Sequence, residues 1–330
     1  MASIRQSAAQ KAEHLAASGR AAEAEALLEK SIAEEDVDAC FLLATWRLSG
    51  NIVTRDLALS RALFKRASFL GRADAAAIHT AFVANGTGGA SDWREALLLL
   101  ETRASSDPKA RRQLDVIREM DLLPDGGPRE QPRSESLSEA PQVSIVRNLF
   151  TPMECDYLIS AAEPLFQPSV IVHPMSGRLV QNPIRTSDGA VFPFVLEDPA
   201  IHALNRRIAA TTATNVGQGE PLQVLRYDRG QEYKPHLDAL PPGIDNPRTM
   251  TVLVYLNESY KGGETRFLRT GLTVRGRVGD AVLFRNMTAN GEPDENAIHA
   301  GLPVTQGRKL IASRWIRARP LDLSGPARAD

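Results

Sequence analysis

The chain changes its grammar once along its length. Over the first 120 residues apolar positions recur three and four apart, alanine is abundant, and proline occurs once, at Pro108. That spacing belongs to helices with one apolar face, and alanine-rich sequence without proline favours the helix. It predicts helices near residues 3–17, 21–33, 38–48, 56–70, 74–84, 92–104 and 108–120. Gly19, Gly50, Gly71 and Gly86 fall at or near the breaks, where a left-handed cap closes a helix. From Val143 the pattern shortens to strand-like runs at 143–147, 168–172, 222–227, 250–256, 272–275, 280–284 and 310–317, separated by Gly, Pro, Asn and Asp. Two helices interrupt them, near 151–163 and 197–214. The first opens with Thr151-Pro152-Met153-Glu154, an N-cap, a proline at the first helical position and a carboxylate at the third.

The early helices repeat. An offset of 36 relates Ala39 to Ala75, Gly50 to Gly86 and Asp56 to Asp92, and aligns Leu27 with Leu63 and Leu99, then Leu28 with Phe64 and Leu100. Paired helices at such a period read as an α-solenoid, the alternative being an ordinary bundle with a coincidental register. Either would serve as a scaffold or partner surface. The pattern resembles Sel1-like repeats, relatives of tetratricopeptide (TPR) repeats. Residues 121–141 (DLLPDGGPREQPRSESLSEAP) have the composition of a flexible linker. The expected fold class is therefore α + β. A helical repeat domain at 1–120 and a linker at 121–141 precede a strand-rich domain with flanking helices at 142–320 and a tail at 321–330.

Composition narrows the function. Of 330 residues 43% are hydrophobic and 24% charged, ordinary for a globular protein with a core. The balance of 39 basic against 40 acidic residues gives a net charge of −1, which points to neither nucleic acid nor an anionic membrane. Two cysteines, Cys40 and Cys155, make neither a disulfide framework nor a thiolate zinc site, as expected of a reducing compartment. No run reaches the roughly 18 apolar residues of a membrane span. Residues 1–30 lack the apolar core of a signal peptide, so the expected location is cytoplasmic. Oligomeric state is left open.

Chemistry concentrates late in the chain. His236 and Asp238 stand two apart, so on a strand both would point to one side. With His299 they would supply two imidazoles and a carboxylate, the facial set of non-haem Fe(II) oxygenases that leaves coordination positions open. Lys309 follows ten residues after His299, placed to hold the far carboxylate of a dicarboxylic acid. Four of the five tyrosines fall between 227 and 260, around the same motif.

The stretches LQVLRYDRGQEYKPHLD, RTMTVLVYLNESYKGGETRF, VGDAVLF and HAGLPVTQGRKLIASRWIR resemble, in order and spacing, the prolyl 4-hydroxylase family of 2-oxoglutarate/Fe(II)-dependent dioxygenases. The resemblance covers residues 143–319 and implies a double-stranded β-helix (jelly roll) with flanking helices. It assigns His236, Asp238 and His299 to Fe(II), and Lys309 to the C5 carboxylate of 2-oxoglutarate. Tyr255 and Thr251 match neighbours of that carboxylate, and Tyr227 matches the C1 end. Arg185, Tyr233, Arg248 and Trp315 match substrate-side positions, the first on a mobile loop. There are two departures: Arg317 stands where some relatives carry histidine, and ALPPGIDNP after Asp238 is short and proline-rich.

The activity implied is hydroxylation of an unactivated C–H with O2 as co-substrate, succinate and CO2 as products and ascorbate as support. The expected target is a peptidyl proline in a protein recruited by the helical repeats. The alternatives are a small molecule or free amino acid, or a non-catalytic adaptor sensing 2-oxoglutarate or oxygen. Outside these motifs His14, His79, His173 and His202 read as surface or core residues and Cys40 as core. The basic run at 108–118 reads as a solvated helix face. Cys155, in the first turns of a capped helix, sits where a dipole lowers a thiol's pKa.

Overall fold

The computed structural model describes residues 6–172 and 179–321. Seven helices come first: α1 (Ala8–Ala17), α2 (Ala21–Ala33), α3 (Val37–Ser49), α4 (Leu57–Phe69), α5 (Ala73–Asn85), α6 (Trp93–Ala104) and α7 (Pro108–Glu119). They match the predicted spans to within a residue, except that α1 starts at Ala8 rather than at residue 3. Ser7 closes a capping box with Gln10 there. The first five residues, His173 and the tail from residue 322 lie outside the described residues.

The 36-residue offset is a repetition of structural roles. Gly50 and Gly86 both end their helices in the left-handed conformation. Asp56 and Asp92 both cap the next helix, their carboxylates accepting from Leu59 N and Glu95 N. Leu28, Phe64 and Leu100 are all fully buried. Phe41, Phe64 and Phe82 stack edge-to-face, with ring centroids 5.5 and 5.8 Å apart. This geometry adds about 0.5–1.5 kcal/mol per pair beyond the area buried.

The strands and remaining helices follow: β1 (Glu135–Glu139), β2 (Gln142–Val146), α8 (Pro152–Ala162), β3 (Gln167–Pro168), β4 (Val170–Val172), β5 (Leu179–Gln181), β6 (Asp188–Phe192), α9 (Pro199–Thr212), β7 (Leu222–Tyr227), β8 (Tyr233–His236), β9 (Arg248–Tyr255), β10 (Tyr260–Gly262), β11 (Thr265–Phe267), β12 (Thr273–Val274), β13 (Ala281–Arg285), β14 (His299–Gly301), β15 (Val304–Gly307) and β16 (Lys309–Arg317). An eight-stranded antiparallel sheet runs β1-β2-β13-β9-β16-β7-β6-β3, and a four-stranded one runs β12-β11-β14-β8. One apolar cluster joins them, with Ile145, Leu225, Tyr255, Phe284 and Ile311 from the larger sheet and Phe267 and Val274 from the smaller. The capping box at Thr151 and Glu154 forms as expected, and Glu154 also pairs with Arg207.

Contacts divide the chain into two compact units. One runs to Leu114 and takes in Phe194–His202, and the other holds Asp115–Pro193 and Ala203–Leu321. The stretch 121–141, expected to be a linker, carries β1, which pairs with β2, and a bridge between Leu122 and Pro128. Its polar, exposed strand (ESLSE) has no apolar alternation to announce it.

Candidate active site

The two histidines meet because β8 and β14 pair antiparallel with His236 opposite His299. Their ring centroids are 4.3 Å apart. Each ring is fixed the same way: His236 Nδ1 bonds Lys234 O at 2.7 Å, and His299 Nδ1 bonds Ala297 O at 3.0 Å. A carbonyl can only accept, so each Nδ1 donates and each Nε2 is the atom left to ligate. Both Nε2 atoms face Asp238, at 3.5 Å from Oδ1 for His236 and 3.7 Å from Oδ2 for His299. Asp238 lies past the end of β8 rather than on it, a correction to the two-apart strand argument. Its carboxylate is instead held from β9, by Thr251 Oγ1 at 2.7 Å.

Electrostatics suit a cation. Burial works to raise the Asp238 carboxyl, but hydrogen bonding to His236, the imidazole charges and Thr251 hold it well below the usual carboxylate range. Burial pushes His299 down to about 4 against the pull of Asp238, so the ring is neutral at neutral pH. The three ligand atoms lie within 4.8 Å of one another. Two imidazole nitrogens and one ionised oxygen, each residue backed by a second hydrogen bond, fit a divalent metal with an open face. Among the described residues no other group of three such ligands occurs.

These residues line a cavity enclosing about 440 Å³, its open mouth included. Lys309, the first residue of β16, is buried at its far side and donates to Gly263 O at 2.6 Å. Gly263 has φ +71°, and a Cβ there would come within 3.1 Å of the Lys309 chain. Among the described residues no carboxylate lies within ion-pair distance of the ammonium, and burial pushes it down to about 8. A buried cation held by one carbonyl and two tyrosine rings, with no carboxylate beside it among the described residues, fits a ligand carboxylate. Tyr227, its hydroxyl beside Ser187 and pushed by burial up to about 12, lines the same cavity.

Other expected residues are placed differently. Thr251 does not line the cavity; its hydroxyl bonds the Asp238 carboxylate. Tyr255 does not line the cavity: its hydroxyl donates to Val274 O at 3.2 Å, and its ring lies 5.7 Å from the Lys309 ammonium. Of the substrate-side set, Arg185, Tyr233 and Trp315 line the cavity. Tyr233 stacks on His236 with centroids 3.4 Å apart, and Arg185 lies over the Tyr233 ring at 5.6 Å. Trp315 Nε1 is buried without a hydrogen-bond partner among the described residues. Arg248 turns away from the cavity, pairs with Glu220 at 2.6 Å and covers the Trp315 ring at 3.6 Å. Arg317 bonds the same Glu220 carboxylate at 2.5 Å and Asn246 O at 2.6 Å, which ties down the proline-rich segment. Sequence reasoning missed Gly301, Thr265, Ser313, Leu225, Leu253 and Ile311, which complete the wall. Alternation along β7, β9 and β16 could have flagged the last three.

Residues 222–317 match the model of the 2OG-Fe(II) oxygenase superfamily. The chain is 34% identical over 205 residues to prolyl 4-hydroxylase 1 of Arabidopsis thaliana, covering 57% of this chain and 72% of that protein. It belongs to this superfamily. More narrowly, it is a prolyl 4-hydroxylase-like oxygenase. The probable prolyl 4-hydroxylase 10 of the same plant is also 34% identical, over 56% of this chain and 71% of its own length. Among solved structures, a viral collagen prolyl hydroxylase from Paramecium bursaria Chlorella virus-1 is 26% identical, with a TM-score of 0.43 over 54% of this chain and 96% of its own.

The family implies Fe(II) and 2-oxoglutarate, and the residues fit both. When bound, iron and the keto acid supply the oxidising chemistry. The oxygenase would hold the iron through His236, Asp238 and His299 and would meet the far carboxylate of the keto acid with Lys309. Leu225, Leu253 and Ile311 give the same cavity an apolar lining.

Proposed function

We propose that the oxygenase hydroxylates a peptidyl proline, turning over 2-oxoglutarate and O2 to succinate and CO2 with ascorbate as support. The observation that carries this is its likeness, over some 200 residues, to plant proteins named prolyl 4-hydroxylases. The cavity supports it: Tyr233 and Trp315 give it an aromatic lining, and the buried Trp315 indole N–H, without a hydrogen-bond partner among the described residues, suits a peptide carbonyl. The two sheets are read as a double-stranded β-helix. The helices α1–α7 are read as a Sel1-like or tetratricopeptide-like solenoid that recruits the target protein, in the cytoplasm.

The test supplies purified oxygenase with Fe(II), 2-oxoglutarate, ascorbate and a library of proline-containing peptides. The expected result is peptide-dependent succinate and a +16 Da product localised to proline. Hydroxylation of free proline but of no peptide would replace this reading with a small-molecule one. Keto-acid binding with no turnover under any peptide or lysate challenge would replace it with a sensor.

A further inference from the structure

Thr251 is completely buried on β9, and its hydroxyl stands between two side chains. Oγ1 lies 2.7 Å from Asp238 Oδ2 and 3.0 Å from Asn286 Nδ2. Proton accounting fixes the direction. The ionised carboxylate only accepts, so the single threonine proton goes to Asp238. Thr251 must then accept from the Asn286 amide, whose Oδ1 is farther away at 3.3 Å. Asn286, directly after β13, is itself held at both backbone ends: its N–H donates to Thr249 O and its carbonyl accepts from Asp294 N–H, each at 2.9 Å. Asn286 is 1% exposed, so water does not compete for these bonds.

We propose that Asn286 and Thr251 are positioning residues that make Asp238 a one-oxygen ligand. Oδ2 also faces His299 Nε2 but already accepts the Thr251 hydroxyl, so Oδ1, the oxygen facing His236 Nε2, is the stronger donor left to a metal. A carboxylate free to rotate can bind a metal through both oxygens. That would consume a coordination position which the facial set otherwise leaves open for a chelating co-substrate. The relay therefore protects the open face, and Asn286 does so without touching metal or cavity.

The test is metal binding, read apart from turnover. Apo-oxygenase is titrated with Mn(II) by calorimetry and with Co(II) by visible absorption, with thermal unfolding of each variant as a control. Thr251→Val keeps the shape and removes the hydroxyl. It should weaken Mn(II) binding about 10–100-fold, the usual cost of losing an outer partner of a ligand, and change the Co(II) spectrum. Thr251→Ser should recover most of the affinity. Asn286→Ala should weaken it less, and its effect should vanish when added to Thr251→Val, because the two act in series. Wild-type Mn(II) affinity and Co(II) spectrum in Thr251→Val overturn the proposal. If that variant does not fold, Asn286→Ala decides alone: unchanged affinity and spectrum reject the relay.

Discussion

His236 and His299 are register partners on adjacent antiparallel strands, β8 and β14, with matching Nδ1 bonds to the carbonyls of Lys234 and Ala297 two residues before each. The pairing sets the metal site, since a one-residue slip of β14 would turn His299 to the opposite face. Removal of either ring leaves two ligands. His299→Ala should cost more than about 100-fold in Mn(II) affinity, beyond the loss for an outer-shell partner. The visible charge-transfer absorption of wild type with Fe(II) and 2-oxoglutarate, measured anaerobically, should vanish. A persistent band would mean that His299 is not a ligand.

Lys309 links co-substrate binding to pH. Burial pushes its folded ammonium down to about 8 from an ordinary lysine value of 10.5. Between those values the unfolded chain holds more protons, so apo stability rises with pH across the window. The full cost of the buried charge is present below pH 8 and amounts to up to about 3 kcal/mol. Lys309→Met should therefore stabilise the apo-oxygenase at pH 7 and lose that advantage by pH 10.5, as read from urea unfolding of both proteins. The same substitution should weaken 2-oxoglutarate binding about 10–100-fold through loss of a charged hydrogen bond. In wild type that affinity should be flat below pH 8 and decline above it. A wild-type-to-variant stability difference that does not change with pH would refute this.

Glu220 holds two arginines at once, Arg248 on the Trp315 ring and Arg317 on the carbonyl of Asn246. Its removal strands both cations in half-buried positions. Glu220→Ala should destabilise the fold by about 3 kcal/mol. It should also raise the KM for a peptide substrate while leaving KM for 2-oxoglutarate within about twofold, because Lys309 and Tyr227 are untouched. Parallel changes in both constants would mean that Glu220 supports the whole site rather than its mouth.

How much of this was legible follows from what each strand has to bury. β7, β9 and β16 are central in the large sheet, and their near-continuous apolar runs announce them. β8 (YKPH), β11 (TRF) and β14 (HAG) are three or four residues long and mix proline, charge and glycine. No period can be read from them, yet two of them carry the histidines. The ligands were therefore found by residue type and spacing, not by secondary structure. The bond from Thr251 to Asp238 is illegible in sequence for a related reason. The hydroxyl reaches Asp238 only because the chain turns after β8, and that turn has no signature in sequence. The helices were legible almost to the residue, since capping aspartates and left-handed glycines are local signals.

Cys155 gives a prediction opposite to the one its position in the helix suggests. A thiol in the first turn of α8 would be acidified by the helix dipole if water reached it. Here the side chain is fully buried, with Sγ 3.9 Å from Tyr255 O, and burial, helped by the nearby charges of Glu154 and Asp156, pushes the thiol up to about 12. Desolvation removes the thiolate that the dipole would have favoured. Cys40, buried in the helical unit, is also raised, first by burial. Native oxygenase at pH 8 should therefore take up no iodoacetamide at either cysteine over an hour, and both should label in denaturant. Intact-mass spectrometry reads the difference directly. Rapid native labelling at Cys155 would mean that α8 opens to solvent.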